Sequence, residues 1–305
     1  MEKPLFPGEN LLRAESLSLP ASIAKRRRVS PFIRLFREHS GKLLCPSFWM
    51  LAWANGCPYH CSYCYLQGTF KGETDPIVFS NLKDMLREVS RWLAYPGETR
   101  LLNTGELCDS LAITDVVMKL LIPLFGRQSR HKLLLLTKSD RVDGLLKLPH
   151  NGQTIISFSL NPPEVSRLYE PDAPPPGKRL EAARKCVRAG YRLRIRVDPM
   201  IPVEGWRKAY SRLAEEIAEL KPERVTLGCL RLYPSVKAFS QRSKAVFQYV
   251  SERTPDGRFR PPEKTRIEMY QLMLSKLQGL EVGICKELPS IHEALKPSPL
   301  CNCIP

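Results

Sequence analysis

Three cysteines lie close together early in the chain, within the stretch Cys57-Pro58-Tyr59-His60-Cys61-Ser62-Tyr63-Cys64. Thiolates are the usual protein ligands of iron–sulfur clusters, and a compact loop of cysteines can wrap one cubane. Three thiolates leave the fourth iron without a protein ligand, and an open iron can bind a substrate or cosubstrate. The spacing therefore predicts a [4Fe–4S] cluster on Cys57, Cys61 and Cys64.

Two other interpretations of these cysteines stay open. Zinc takes four tetrahedral ligands, and His60 could supply the fourth, although its neighbour Cys61 makes simultaneous binding awkward. The three cysteines could also be buried without any metal. The cysteine spacing, the strand-like run before the loop and the aromatic residue after it disfavour the interpretation without metal.

The elements that position this loop alternate between strands and helices from about residue 43. Helix-like runs cover 80–94, with Ser80 as the expected N-cap, 113–124, 178–189, with Gly190 as its stop, and 206–220. Such an alternation with short links predicts a parallel sheet with helices outside it. The strand-like runs are 43–53, 100–103, 133–136, 154–160, 191–197 and 224–230.

The predicted fold class is α/β, a partial (β/α)6 TIM-like barrel, and a doubly wound open sheet is the alternative. Three regions are predicted: a basic N-terminal arm (1–42), the barrel (43–232) and a C-terminal extension (233–305). The extension holds one helix, at 264–278, and would close the barrel or contact substrate. In a barrel, the cysteine loop lies at the C-terminal ends of the strands, where such folds place their chemistry.

Composition narrows the class of protein. The 305 residues are 43% hydrophobic and contain no run of about 18 apolar residues, so we expect no membrane span. The first 20 residues lack the pattern of a signal peptide, so we expect a cytoplasmic location. Because thiols stay reduced in that compartment, the ten cysteines indicate metal binding or catalysis rather than disulfides. A formal charge of +16 favours nucleic acid as a partner, although a solvated basic surface also explains it.

The spacing Cys-x3-Cys-x2-Cys after a first strand resembles the hallmark of the radical S-adenosylmethionine (SAM) superfamily. The resemblance implies a partial barrel of the radical SAM type, with [4Fe–4S] and SAM as cofactors. In that superfamily the open iron chelates the amino and carboxylate groups of SAM, and one electron cleaves the sulfonium to give a 5′-deoxyadenosyl radical. It also implies an electron donor such as a flavodoxin or a ferredoxin.

A closer resemblance, over about residues 50–235, is to the spore photoproduct lyase family. That family repairs a thymine dimer joined through a methyl group in ultraviolet-damaged spore DNA, which implies a carbon–carbon lyase acting on DNA; we expect a monomer. The motifs that carry the resemblance are Cys61-Ser62-Tyr63-Cys64-Tyr65-Leu66-Gln67, Thr137-Lys138, Ser157-Phe158-Ser159-Leu160-Asn161, Arg179-Leu180-Glu181-Ala182-Ala183-Arg184-Lys185, Gly190-Tyr191 and Glu204-Gly205-Trp206.

Polar residues at predicted strand ends match the SAM-binding positions of these families. Thr104-Gly105-Glu106 resembles the element that receives the amino group of SAM, and Lys138 matches a lysine that pairs with its carboxylate. Each could be an ordinary polar residue at a strand end, but their shared location favours one site. The remaining members of the predicted cofactor-binding set are Ser159 and Asn161, near the ribose, and Ser110.

Three residues are expected to take part in hydrogen transfer. Tyr63 and Tyr65 match two tyrosines that the family uses in radical return, and Cys108 lies near its thiol donor. Relative to the family pattern, one residue is missing after Ser110. Tyr63 and Tyr65 could instead be packing aromatics, and Cys108 a small buried hydrophobe.

The fifth strand alternates apolar residues with Arg192, Arg194 and Arg196. If its apolar face packs on the helices, Arg194 and Arg196 point into the lumen near the substrate, and both join the predicted cofactor-binding set. Buried arginine needs an anionic partner, which Glu106, Asp198, a DNA phosphate or an acidic substrate could supply. An edge strand with an exposed arginine face is the alternative.

Both ends of the chain carry features outside the barrel. The run Lys25-Arg26-Arg27-Arg28 could touch phosphate or be solvated. Cys301 and Cys303 could ligate something near the site, form a redox pair, or be mobile terminal thiols. A further basic group, compatible with a phosphate track, comprises Lys237, Arg242, Lys244 and Arg253.

The hypothesis that these features favour is a DNA-repair enzyme of the spore photoproduct lyase type. A radical SAM enzyme on the same scaffold with a small-molecule or peptide substrate is the second. The third is a metal-stabilised nucleic-acid-binding protein without catalysis.

Overall fold

The computed structural model describes residues 19–38, 41–240 and 242–305. Residues 1–18 and 39–40 of the predicted arm lie outside this part. None of the helices in the described ranges has the length and hydrophobicity that a bilayer crossing requires.

Thirteen strands occur in the described residues, and eight of them form one sheet in the order β13-β10-β9-β8-β7-β6-β3-β2. All neighbours in this sheet are parallel except the pair β2 and β3, which is antiparallel. The strands are β1 (Ala24–Arg26), β2 (Ile33–Phe36), β3 (Phe48–Leu51), β4 (Ala54–Asn55), β5 (Ile77–Phe79), β6 (Leu101–Asn103), β7 (Lys132–Thr137), β8 (Thr154–Ser159), β9 (Arg192–Met200), β10 (Arg224–Cys229), β11 (Glu252–Arg253), β12 (Phe259–Arg260) and β13 (Val282–Ile284).

Helices connect most of the parallel strands and pack on the outer face of the sheet, whereas turns alone connect β7 to β8. Gly190 follows the end of α5 with φ +83°, the left-handed conformation that stops a helix, as predicted. The helices of the described residues are α1 (Leu66–Thr69), α2 (Leu82–Leu93), α3 (Val116–Phe125), α4 (Pro163–Tyr169), α5 (Pro176–Arg188), α6 (Trp206–Glu219), α7 (Pro234–Phe239), α8 (Lys244–Phe247), α9 (Glu263–Lys276) and α10 (Pro289–Leu295).

The six predicted parallel strands are all present, and the prediction of a partial barrel is confirmed. The eight-stranded sheet also contains two edge strands that the sequence did not indicate, antiparallel β2 at one edge and parallel β13 at the other. Because β13 has three residues, it is too short for a periodic pattern to reveal. The predicted cap of α2 is wrong in detail: Asn81, not Ser80, precedes the helix, and the Ser80 amide bonds the carbonyl of Arg26.

The two faces of the sheet have different environments. The outer face carries Ile156, Phe158, Ile195 and Val197 into the main apolar core beneath the helices. The inner face is covered low down by the C-terminal tail, whose Cys301 and Cys303 pack with Phe48 and Met50 of β3. The upper part of the inner face is left for a cavity at the C-terminal ends of the strands.

Candidate active site

The loop that carries the three cysteines turns sharply after β4. Gly56 has φ +81°, and a Cβ there would lie 2.4 Å from the carbonyl oxygen of Asp75, so only glycine fits. The Cys57 amide donates to the Thr74 carbonyl at 2.9 Å, and the Cys64 amide to the Cys61 carbonyl at 2.9 Å. These backbone hydrogen bonds hold the loop in shape without a contribution from its side chains.

The thiols of Cys57, Cys61 and Cys64 line one cavity. Burial raises the pKa of Cys61 to about 12, with Lys138 acting in the opposite direction. Such thiols become thiolates only when a strong positive charge is supplied, and a coordinated metal supplies it. The chemistry of this donor set therefore fits an iron–sulfur cluster.

The zinc interpretation required His60 as a fourth ligand. The His60 ring is turned to the outside of the loop, where its Nδ1 lies 3.0 Å from Thr74 Oγ1, and it does not line the cavity. Within the described residues, no three His, Cys, Asp or Glu side chains are grouped to hold a single metal ion. Both findings count against a zinc site that uses His60.

Thr104-Gly105-Glu106 follows β6 at the cavity wall. A Cβ on Gly105 would lie 2.7 Å from the Leu136 carbonyl oxygen, so the close approach of β7 requires glycine. The Trp53 indole N–H donates to the Thr104 carbonyl at 2.9 Å and holds the turn in place. Glu106 thereby points its carboxylate into the cavity, where it is paired with the Lys286 ammonium at 3.6 Å.

Lys138, after β7, is held by two polar neighbours. Its backbone amide donates to Asp109 Oδ2 at 2.6 Å, and its ammonium donates to Ser159 Oγ at 2.9 Å. The ammonium also lies 5.6 Å from the centre of the Tyr63 ring. The cavity wall therefore carries a fixed cation as well as the carboxylate of Glu106.

Tyr63 and Tyr65 flank Cys64 and both line the cavity. The Tyr63 hydroxyl donates to Glu170, a fully buried carboxylate that pairs with Arg179 at 2.6 Å. The Tyr65 hydroxyl donates to the backbone carbonyl of Glu106. Each phenol hydroxyl is thus hydrogen-bonded and held in one orientation at the cavity wall. Aromatic residues that serve only for packing would not need these hydrogen bonds.

Cys108 lies in the same cavity, on the turn after Glu106. The side chain is buried, and its Sγ lies 3.6 Å from the Thr104 carbonyl oxygen. Burial, with the neighbouring charge of Asp109, raises the pKa of this thiol well above its ordinary value. Cys108 is therefore a protonated thiol that faces the same space as the cluster cysteines.

The structure brings most of the predicted residues together but leaves three outside the cavity lining. Ser110 is buried behind it, 2.8 Å from Thr104 Oγ1. Asn161 donates to Glu170 at 2.9 Å and so supports the wall from behind. Arg194 lies lower on the inner face, bound to Glu223 and to the tail.

Arg196 does reach the cavity, and its partner is one of those expected. Its guanidinium donates to Asp198 at 2.5 and 3.0 Å, and Arg231 binds the same carboxylate through two bonds of 2.8 Å. The charges of Arg231 and Arg196 overcome the effect of burial and hold the pKa of Asp198 well below its usual range. Since β9 lies between β8 and β10, the edge-strand interpretation is wrong.

Sequence reasoning missed several residues of the cavity wall. Asp109 accepts bonds from Thr137 and Lys138, and its position beside Cys108 was a usable signal. Lys286, Tyr233 and Phe36 come from segments without a periodic pattern, so nothing in the sequence placed them here.

Comparison with known proteins identifies the family of this chain. The sequence model of the family described as spore photoproduct lyase matches residues 45–266, which is most of the chain. The chain belongs to the spore photoproduct lyase family. Spore photoproduct lyase from Bacillus subtilis (strain 168) is 34% identical over 179 residues, which cover 57% of this chain and 52% of the relative. Spore photoproduct lyase from Geobacillus sp. (strain Y412MC61) is 33% identical over 199 residues, covering 64% and 58%.

Solved structures of spore photoproduct lyase share the fold. One, complexed with dinucleoside spore photoproduct, has a TM-score of 0.68 at 25% identity over 77% of this chain and 75% of that chain. A variant with bound AdoMet and dinucleoside spore photoproduct has a TM-score of 0.66 at 26% identity over 76% and 74%. The chain spans little more than half the length of the spore photoproduct lyases whose sequences it matches.

Proposed function

We propose that this protein is a radical SAM lyase that repairs spore photoproduct in DNA. The observation that carries the proposal is the shared cavity: Cys57, Cys61 and Cys64, the Glu106 and Lys138 charges, and a separate thiol all face one space. A solved relative of the same fold binds AdoMet and dinucleoside spore photoproduct together. A non-catalytic nucleic-acid-binding protein has no use for this combination.

The cluster would be held by Cys57, Cys61 and Cys64, and when bound with SAM it supplies the electron that generates a 5′-deoxyadenosyl radical. Glu106 suits the amino group of SAM because it is a part-buried carboxylate that already accepts a cation. Lys138 suits the carboxylate of SAM, and Ser159, which the same ammonium bonds, suits the ribose. Asn161 and Ser110 would act by positioning these groups from behind the wall.

Cys108 is the candidate donor of a hydrogen atom to the substrate. A thiol gives up a hydrogen atom only while its S–H bond is present, and the raised pKa of Cys108 keeps it protonated at neutral pH. Its burial also shields it from solvent oxidants. Tyr63 and Tyr65, bonded in the same wall, are the candidates for returning the radical to the cofactor.

DNA as the partner is supported by the formal charge of +16 and by the basic segment beyond the cavity. In that segment Lys237 is exposed and lies over the Phe247 ring, whereas Arg242 already pairs with Asp172 at 2.5 Å and contributes less positive charge to the surface. The proposal includes a monomer in the cytoplasm that takes its electron from a flavodoxin or a ferredoxin.

The test is repair of a defined lesion. The protein would be reconstituted anaerobically with iron and sulfide, reduced with dithionite, and given SAM and dinucleoside spore photoproduct. We expect conversion to the two unlinked thymidines, absent in Cys61→Ala. Cleavage of SAM with the lesion left intact would assign the enzyme a different substrate, in accordance with the small-molecule or peptide alternative.

A further inference from the structure

A group of cations lines the cavity on the side of the sheet that ends in β13. Arg196 lies on β9, Arg231 follows β10 and Lys286 follows β13, and these three strands are neighbours in the sheet. Each strand thus contributes one cation to the cavity lining, and Tyr233, two residues after Arg231, joins them there. We refer to these four residues, Arg196, Arg231, Tyr233 and Lys286, as the cationic wall.

One carboxylate and one thiol hold the cationic wall together. Asp198 accepts bonds from both guanidiniums, at 3.0 Å from Arg196 Nε and at 2.8 Å from each Nη of Arg231. Both guanidiniums also contact Cys285 Sγ, at 3.3 and 3.8 Å, and Lys286 is the next residue along the chain. These shared partners fix the positions of the three cations relative to one another.

Several hydrogen-bond donors of the cationic wall have no acceptor in the protein. Within the described residues, nothing accepts a bond from Arg196 Nη1 or from Arg231 Nε, and neither nitrogen is enclosed. The Lys286 ammonium has its ion pair with Glu106 but no hydrogen bond, and the Tyr233 hydroxyl bonds none of the described residues. The three charged side chains are only 12%, 13% and 14% exposed, so their free donors need an acceptor inside the cavity.

The charges around the cationic wall do not cancel. Arg196, Arg231 and Lys286 supply three positive charges, and the carboxylates of Asp198 and Glu106 supply two negative charges, so one positive charge remains. The amino group of SAM that Glu106 is proposed to bind would raise this surplus to two. Because removing a cation from water is costly unless a counter-ion accompanies it, the bound state requires an anion here.

The donors of the cationic wall favour a phosphate as that anion. Guanidinium and ammonium groups are the usual partners of phosphate, and a tetrahedral phosphate accepts bonds from several directions at once. The carboxylate of SAM has a different proposed cation, Lys138 after β7, and so does not use these donors. A phosphate also has room, since the cavity volume of about 240 Å³ is many times the roughly 10–15 Å³ that one water needs.

We infer that the cationic wall binds the phosphodiester that joins the two linked thymidines of the substrate. The inference rests on the proposed function, and it adds to it the part of the lesion that these residues recognise. A spore photoproduct that lacks this phosphodiester should therefore bind less tightly than one that carries it.

Two forms of the lesion that differ only in the phosphodiester test the inference. Protein reconstituted with its cluster and given SAM but no reductant cannot turn over, so calorimetric titration gives the dissociation constants of spore photoproduct as the dinucleotide and as the dinucleoside. The wild type should bind the dinucleotide about 10- to 150-fold more tightly, as expected for hydrogen bonds between charged groups. This comparison needs no variant, so it decides the matter even if a variant fails to fold.

Variants then locate the effect. Arg196→Met and Lys286→Met should each weaken binding of the dinucleotide more than binding of the dinucleoside and so reduce the preference. Arg192→Met is the matched control, because Arg192 lies on the same strand as Arg196, pairs with Glu223 at 2.7 Å and is outside the cavity lining. This control should keep the wild-type preference.

Two results overturn the phosphodiester site and leave the proposed function standing: equal binding of the two lesions by the wild type, or a preference that both cavity variants retain. Failure of the wild type to bind either lesion overturns the proposed function together with the site.

Discussion

The ammonium of Lys286 lies 3.6 Å from a carboxylate oxygen of Glu106, and both side chains line the cavity that the three loop cysteines share. Burial alone lowers the pKa of Lys286, but the charges of Glu106 and Cys285 outweigh it and leave the pKa above its ordinary value. The carboxylate that suits the amino group of SAM thus already has a cationic partner. Lys286 comes from just after β13, far along the chain from the motif it completes.

Glu106→Gln should weaken SAM binding. A hydrogen bond to a charged group contributes roughly 1.5–3 kcal/mol, so the dissociation constant should rise by about 10- to 150-fold. Lys286→Met removes the competing cation and should tighten binding. Calorimetric titration of reconstituted protein with SAM measures both changes, and equal weakening by the two substitutions would show that Glu106 and Lys286 act only as a structural pair.

Cys108→Ala should separate SAM cleavage from repair. Because the thiol is proposed to act after the first hydrogen abstraction, 5′-deoxyadenosine should still form while the yield of repaired thymidines falls. The ratio of the two products, measured by chromatography, gives the result directly. Cys186→Ala provides a buried-cysteine control, and an unchanged ratio in Cys108→Ala would assign hydrogen donation to another group.

Glu170 should make stability depend on pH. Burial alone raises its pKa, but Arg179, Lys138 and the bonds from Tyr63 and Asn161 lower it from 4.5 to about 2. The folded-state pKa is depressed, so this contribution is present above about pH 4.5 and is lost as the pH falls towards 2. Denaturant unfolding at several pH values should show a loss of free energy over that window.

Glu170→Gln should abolish that dependence and cost about 3–5 kcal/mol at pH 7, because it leaves the Arg179 charge buried without a partner. Glu181→Gln is the matched control, since its surface pair with Lys178 at 3.7 Å is worth no more than about 1 kcal/mol. Similar losses for the two variants would show that the buried pair contributes nothing special.

Gly105→Ala should damage the turn that aims Glu106. The new methyl group would meet the Leu136 carbonyl, an overpacking that typically costs about 1–3 kcal/mol. Gly177→Ala, on α5 with open space around its Cα, should leave stability unchanged or raise it. Thermal unfolding compares the two, and a Gly105→Ala protein as stable as wild type would argue against the close approach.

The sequence identified what depends on local pattern. The six parallel strands, the cysteine loop and the inward direction of Arg196 followed from alternation and spacing, whereas the choice of Asp198 among four possible partners of Arg196 came from the structure. The positions of Lys286 and β13 did not, because a three-residue strand and a lone lysine carry no periodic signal. Arg194 binds the C-terminal tail and does not line the cavity. No local sequence pattern shows where such a distant segment packs.

Reductive cleavage of SAM is the measurement that tests the account most directly. Anaerobically reconstituted wild type, reduced with dithionite and given SAM, should release 5′-deoxyadenosine. Cys61→Ala should release none, and Cys186→Ala should match the wild type. A wild-type protein that carries an intact cluster on Cys57, Cys61 and Cys64 and yet leaves SAM uncleaved would contradict the assignment of radical chemistry to this cavity.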